Sequence, residues 1–324
     1  QKFLIDLSKI KRSSYNGQVI GITGSAGKTS LKEYLKLFLA KKFKVSASIK
    51  SYNNNLGVMI SILNMNLKSD YAIFEIGTNN FFEIKKLTIL VKPSQIFITN
   101  ILSTHLEAFK NKRNIAIEKS DIFKKKYNPL AEILIFQKKS KEEQLIYNIA
   151  KKEKLKKLIK IGTKKDECYI EKVKKMQSKH EITLKIFNKN YKIFVREYEE
   201  KTILNLMFVF IFFVLNRINT NVITNDNFKI PKVEGRGSIH NVTLNNFKVK
   251  LIDQSYNANP ETMFESIKNF SIIKNEKRVA FLILGNMNEL GLKSHTLHIK
   301  VIKEIEKYQF DEVILSGNFF KKAL

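Results

Sequence analysis

The chain has 324 residues, 44% of them hydrophobic, which is enough to bury a sizeable core and long enough for two domains. Its formal charge of +28 would suit nucleic acid or an acidic membrane surface, yet the excess is nearly all lysine and is spread along the sequence. Solvated lysine faces are therefore expected in place of a nucleic-acid groove, with a diffuse field that favours a polyanionic small molecule. A single cysteine, Cys168, excludes an internal disulfide and zinc-finger spacing, so a reducing cytoplasm is expected. The start does not read as a secretory leader. The opening on Gln1 and the close at Leu324, just after an apolar strand, read as interruptions of a longer protein. Residues 1–18 are accordingly expected to be the remnant of a preceding domain or linker.

In chain order, "QVIGI", "YAIFEIG", "SQIFITNI" and "AEILIF" are continuous apolar runs, the pattern of strands covered on both faces. After the first, Leu31, Tyr34, Leu35, Phe38 and Leu39 mark one face of a helix. This alternation predicts an open, mostly parallel α/β sheet. From about Asp166 to Tyr198, "CYIEKV", "EITLKIF" and "YKIFVREY" alternate apolar and polar residues, which predicts a small antiparallel patch. The run "ILNLMFVFIFFVL" from Ile203 to Leu215 is short for a membrane span, and Asn205 interrupts it. A buried helix is expected there. "TNDNFKIPKVEGRGS" reads as the linker, giving a central domain over 19–233 and a second domain over 234–324. In the latter, "FKVKLIDQS", "KRVAFLILG" and "DEVILSG" predict a further α/β unit, Rossmann-like and incomplete.

The stretch "VIGITGSAGKTSLKEY" runs a strand through a glycine turn into a helix. Such a turn exposes backbone N–H groups, and the helix N-terminus adds about half a positive charge, so the place suits phosphate. Gly24, Ser25, Ala26, Gly27, Lys28, Thr29 and Ser30 form the expected ATP loop. Lys28 can reach the β- and γ-phosphates, and the Thr29 hydroxyl can ligate magnesium. The usual first glycine of such a loop is replaced by Ile22, so this is a variant.

The motifs "TGSAGKTS", "NNNLGVMISIL", "YAIFEIGTNN", "ITNILSTHLEAF", "IAIEKSDIF", "DQSYNANPETM" and "LGNMNELG" occur in this order. Together they resemble the Mur ligases of peptidoglycan synthesis, and among them the type that adds D-alanyl-D-alanine. The resemblance covers about Gln18 to Leu292. It implies a central P-loop ATPase domain followed by a Rossmann-like domain, and an ATP-dependent ligase that makes an acyl phosphate for an amine to displace. The implied substrates are a UDP-N-acetylmuramoyl tripeptide and D-alanyl-D-alanine, with ATP and Mg2+ as cofactors, in a cytoplasmic monomer without nucleic acid or a membrane span.

By the same resemblance Glu75 would hold magnesium with Thr29, while His105 would bind a second magnesium with Lys119. Lys119 would react with carbon dioxide to give a carbamate, which requires a neutral amine and hence a lowered pKa. Lys28, His105 and Lys119 are the implied catalytic residues. Asn53, Asn54 and Asn55 would face the substrate, although an Asn-rich turn before a helix explains them nearly as well. Asn205, Arg236, Asp253, Tyr256 and Asn257, with Asn259 on the same loop, are implied nucleotide contacts. The chain departs from the family at Lys201, Thr202, Gln254 and Asn286. Three alternatives stand beside this: a sister ligase with another amino acid, an ATP-binding fragment without activity, and a basic P-loop protein that binds nucleic acid.

Overall fold

Apolar continuity does build the centre of the sheet. In a computed structural model, which describes residues 2–196, 198–224, 234–274 and 279–324, β1 (Gln18–Thr23) is buried from Val19 onward. It lies between β3 (Tyr71–Glu75) and β4 (Gln95–Ile98), both parallel to it and buried throughout. The full order is β2 (Val45–Ala47), β3, β1, β4, β5 (Ile133–Gln137), β6 (Lys157–Gly162), β7 (Cys168–Lys175), β8 (His180–Ile186) and β9 (Lys189–Val195). Pairing is parallel from β2 through the β6–β7 step and antiparallel from β7 to β9. Two strands lie outside the sequence expectation. β2 is a three-residue edge strand, and β6 ("KLIKIG") alternates with lysine, so neither shows a continuous apolar run.

The helix Glu200–Leu215 is buried on every side from Leu206 to Phe213. Its aromatic rings reach both halves of the sheet. Phe212 meets Tyr71 and Phe97 at 5.7 and 6.0 Å between centroids, Phe208 meets Phe97 at 5.8 Å, and Phe210 meets Tyr191 at 5.6 Å. Its all-round apolarity reflects a core position. Among the described residues, no helix is long and apolar enough to cross a membrane.

The chain divides into two compact units. The first holds residues 1–101 and 113–231, and includes the helix Lys2–Ser13, which packs on the helices Asn55–Leu63 and Glu83–Val91. The second holds residues 102–112 and 232–324, so the segment carrying His105 belongs with the C-terminal residues. Most of the expected linker, residues 225–233, lies outside the described residues.

In the second unit β12 (Phe281–Leu284) and β13 (Glu312–Leu315) pair in parallel, with the helix Ser294–Ile305 between them. "FKVKLIDQS" departs from expectation. It forms β11 (Phe247–Asp253), paired antiparallel with β10 (Ser238–Leu244) as a separate hairpin. Asn245 and Asn246 both take positive φ, the conformation a two-residue hairpin turn needs, and this local turn dictates the pairing.

Replacing Phe212 with Ala should cost about 3–5 kcal/mol, the usual range for emptying a buried phenylalanine site. Urea unfolding measures it. A loss below about 1 kcal/mol would contradict the central position of this helix.

Candidate active site

Pairing of β1 with β3 and β4 brings three strand ends to one sheet edge, the edge where open α/β sheets hold ligands. The loop after β1 begins at Gly24 (φ 143°), where a Cβ would collide with the Thr99 hydroxyl. Gly27 (φ 82°) caps the helix Lys28–Leu39 in the left-handed conformation. Position 22 needs no glycine, because Ile22 is still inside β1 and fully buried.

The residues after β4 fasten this loop. Ser25 N–H donates to the Asn100 carbonyl at 3.0 Å, Ala26 N–H donates to Asn100 Oδ1 at 2.9 Å, and the Thr99 hydroxyl donates to the Ala26 carbonyl at 2.6 Å. Lys28 Nζ folds back onto the Gly24 carbonyl at 2.8 Å. Asn205, from the buried helix, approaches the Gly27 carbonyl at 3.5 Å. Ser30 is half-buried one residue past Thr29. Thr99 and Asn100 carry no site role in the sequence expectation, although they fall in the quoted motif "ITNILSTHLEAF".

Glu75 ends β3 and is fully buried. One carboxylate oxygen accepts from the Thr29 hydroxyl at 2.8 Å and the other from Asn53 Nδ2 at 2.8 Å. Its backbone N–H donates to Ser48 Oγ at 3.0 Å. A buried carboxylate beside a hydroxyl at the phosphate-loop helix is a hard-oxygen donor set that fits magnesium. The three asparagines separate. Asn53 faces Glu75, Asn54 caps the helix Asn55–Leu63 by accepting from Gly57 N–H at 2.8 Å, and Asn55 is exposed on its first turn.

Lys119 is buried on the helix Lys112–Ser120. Burial first, and then the charge of Lys28, push its amine well below the ordinary lysine range, with Glu118 opposing. Glu118 itself anchors the next element: its carboxylate accepts from Phe82 N–H at 2.8 Å and Ile84 N–H at 2.9 Å, and burial pushes its pKa up. Among the described residues, no group of three or more His, Cys, Asp or Glu could hold a metal.

His105 lies in the second unit. It takes a left-handed backbone (φ 52°) and pairs through Nδ1 with Glu289 of "NELG". Glu107 N–H donates to the Glu289 carbonyl at 2.9 Å, so His105 is engaged with this loop. Elsewhere in this unit the Arg236 guanidinium lies 3.9 Å over the exposed Tyr256 ring. Asp253 accepts from Ser255 N–H at 2.9 Å, and hydrogen bonds from Ser255 hold its carboxyl low. Asn257 is exposed, whereas Asn259 is buried as the cap of the helix Pro260–Ile273, a structural role. The departing residues also have local partners. Lys201 pairs with Glu199 at 2.8 Å, the Thr202 hydroxyl donates to Glu199 at 2.6 Å, and Asn286 Oδ1 accepts from Phe319 N–H at 3.1 Å. Gln254 is half-buried.

The phosphate loop, β3 with Glu75, Lys119 and all but the last two residues of the buried helix fall in residues 22–213, which match the Mur ligase middle domain. The chain belongs to the Mur ligase family. It is 29% identical over 312 residues to the UDP-N-acetylmuramoyl-tripeptide–D-alanyl-D-alanine ligase of Rickettsia prowazekii, covering 96% of this chain and 68% of that one. With the ligase of the same name from Borreliella burgdorferi it shares 30% over 326 residues, 98% of this chain and 64% of the other. This Mur ligase chain thus spans about two thirds of the length of these relatives. Among solved structures it superposes on MurF from Acinetobacter baumannii with a TM-score of 0.86 at 22% identity, covering 99% of this chain and 68% of that one. The Thermotoga maritima MurF ligase, solved in complex with ADP, gives 0.84 at 21%, with 99% and 72% covered.

Burial and the charge of Lys28 lower the Lys119 pKa in the folded state, so between that lowered pKa and the ordinary lysine value the unfolded state binds more protons and stability rises with pH. Lys119→Met removes that cost. The variant should exceed the parent in stability near pH 7, and the gain should shrink toward about pH 10. Urea unfolding at both values checks this, and a pH-independent difference would contradict a lowered Lys119 pKa.

Proposed function

We propose that this Mur ligase chain carries the ATP site of an enzyme that joins D-alanyl-D-alanine to a UDP-N-acetylmuramoyl tripeptide, in the cytoplasm, as a monomer with no nucleic-acid partner. The observation that carries the reading is the Thr29–Glu75 pair at the mouth of the phosphate loop, with buried Lys119 close enough to feel Lys28. The names of the relatives support the choice of substrates.

In the first half-reaction the tripeptide carboxylate attacks the γ-phosphorus, the bond to the β-bridging oxygen breaks, and ADP leaves. The dipeptide amine then attacks the acyl phosphate, and inorganic phosphate and a proton depart. Lys28, released from the Gly24 carbonyl, meets the β- and γ-phosphates, while loop N–H groups and the helix N-terminus face the same oxygens. Thr29 and Glu75 would hold magnesium, which would supply positive charge among the crowded anionic oxygens. Asn53 presents its amide on the substrate side. Lys119, in its neutral form, would add carbon dioxide at its nitrogen and lose a proton to give an anionic oxygen donor. His105 is assigned as a second metal ligand, a role its Nε2 can fill while Nδ1 keeps its Glu289 partner. In the second unit Arg236, Asp253, Tyr256 and Asn257 are assigned to the nucleotide.

Lys28→Ala should weaken binding of a non-hydrolysable ATP analogue with magnesium by about 2–4 kcal/mol in calorimetry, and phosphate release should require both the tripeptide nucleotide and D-alanyl-D-alanine. Equal affinities, or release independent of the tripeptide, would sink this assignment. With carbon-13 bicarbonate, a carbamate resonance should appear in the parent and be missing from Lys119→Ala. Identical spectra would remove the carbamate.

A further inference from the structure

Lys32 is fully buried on the phosphate-loop helix, one turn beyond Thr29. Its ammonium donates to the Ser48 carbonyl at 2.9 Å and to the Lys50 carbonyl, and it lies 3.0 Å from the partly exposed Glu33 carboxylate. A buried cation on a long stem is costly unless paired and hydrogen-bonded. Here much of its coordination is spent on the backbone of one loop. That loop is the approach to Asn53. Ser48 N–H donates to the Ile73 carbonyl at 2.8 Å, Ser48 Oγ accepts from Glu75 N–H at 3.0 Å, and Gly77 N–H donates to the Asn53 carbonyl at 2.8 Å. Two connections thus join the helix to the segment 48–53. One runs from Thr29 through the Glu75 carboxylate to the Asn53 amide, and the other runs from Lys32 directly to the carbonyls of Ser48 and Lys50.

We propose that Lys32 is a positioning residue that clamps the segment 48–53 to the phosphate-loop helix and so holds Asn53 on Glu75, setting affinity for the carboxylate substrate separately from affinity for ATP. The substrate part rests on the proposed function, which gives Asn53 the substrate side. The clamp itself stands on the geometry alone. The first connection is exposed to change at its centre, because any cation drawn to Glu75 competes with the Thr29 and Asn53 hydrogen bonds. The Lys32 clamp lies behind the carboxylate and does not use its oxygens. It therefore keeps the loop in register when the Glu75 contacts rearrange.

The experiment compares the parent with Lys32→Met, which keeps the stem and loses the charge and donors, and with Ser48→Ala, which loses only the hydroxyl that receives Glu75 N–H. One arm reads amide hydrogen exchange without ligand. Exchange over residues 48–56 should accelerate at least about tenfold in Lys32→Met relative to β1 and β4. The second arm titrates the non-hydrolysable ATP analogue and the UDP-N-acetylmuramoyl tripeptide separately. The tripeptide nucleotide should lose at least about tenfold in affinity while the analogue stays within about twofold, a split that general loosening would not give. Ser48→Ala, which leaves both Lys32 carbonyl contacts in place, should shift the same way by a smaller factor. Lys32→Gln, which loses the charge and the reach, should show the same split as Lys32→Met and decides the matter if Lys32→Met does not fold. Unchanged exchange over 48–56, or an equal loss for both ligands, overturns the clamp. A parent that binds the analogue and not the tripeptide nucleotide counts against the proposed function, while the exchange arm still decides the clamp.

Discussion

Burying the carboxylate of Glu75 is the constraint around which the first unit is arranged. An ionised carboxylate without partners in the protein interior costs several kcal/mol, so its oxygens must be met by donors. Thr29 and Asn53 meet them at 2.8 Å each, from two different connections of the chain. The parallel register that sets Ile22 opposite Glu75 makes this possible, since it brings the end of β3 beside the end of β1. The phosphate loop, the carboxylate and the asparagine turn are thereby held together before any ligand is present.

Two buried lysines of the same unit meet a comparable cost differently. Lys32 surrounds its charge with backbone carbonyls and the neighbouring Glu33, and so stays useful as a tie between segments. Lys119 is pushed toward its neutral form, first by burial and then by the like charge of Lys28. The outcome is a tie between segments in one place and an amine with a lowered pKa in the other. Chemistry follows from which partners the fold supplies, not from residue type.

Behind the site, the helix Glu200–Leu215 couples the parallel and antiparallel halves of the sheet through Phe208, Phe210 and Phe212. Its first turns carry Asn205 to Gly27, so packing in the core also sets one wall of the phosphate loop. Close packing transmits such placement because interiors have little free volume to absorb a shift.

Local pattern was enough for much of this. Continuous apolar runs marked β1, β3, β4 and β5, alternation marked β7 to β9, and the strand-turn-helix around Gly24 to Thr29 marked the loop. These features depend on neighbours in sequence, whose side-chain period or backbone freedom can be read directly. The short edge strand β2, the lysine-interrupted β6 and the separate β10–β11 hairpin needed partners that no local window contains. Asn54 and Asn55 looked equivalent to Asn53, yet only the placement of Glu75 sorted a carboxylate partner from a helix cap. His105 follows β4 in sequence, but it belongs to the second unit and a left-handed turn accompanies its pairing with Glu289. Lys32 was one lysine in a chain rich in them, and its role arises from carbonyls 16 and 18 residues away. Sequence decided which groups could bear charge. Only the tertiary structure decided which were buried, beside what, and therefore which charges the site keeps.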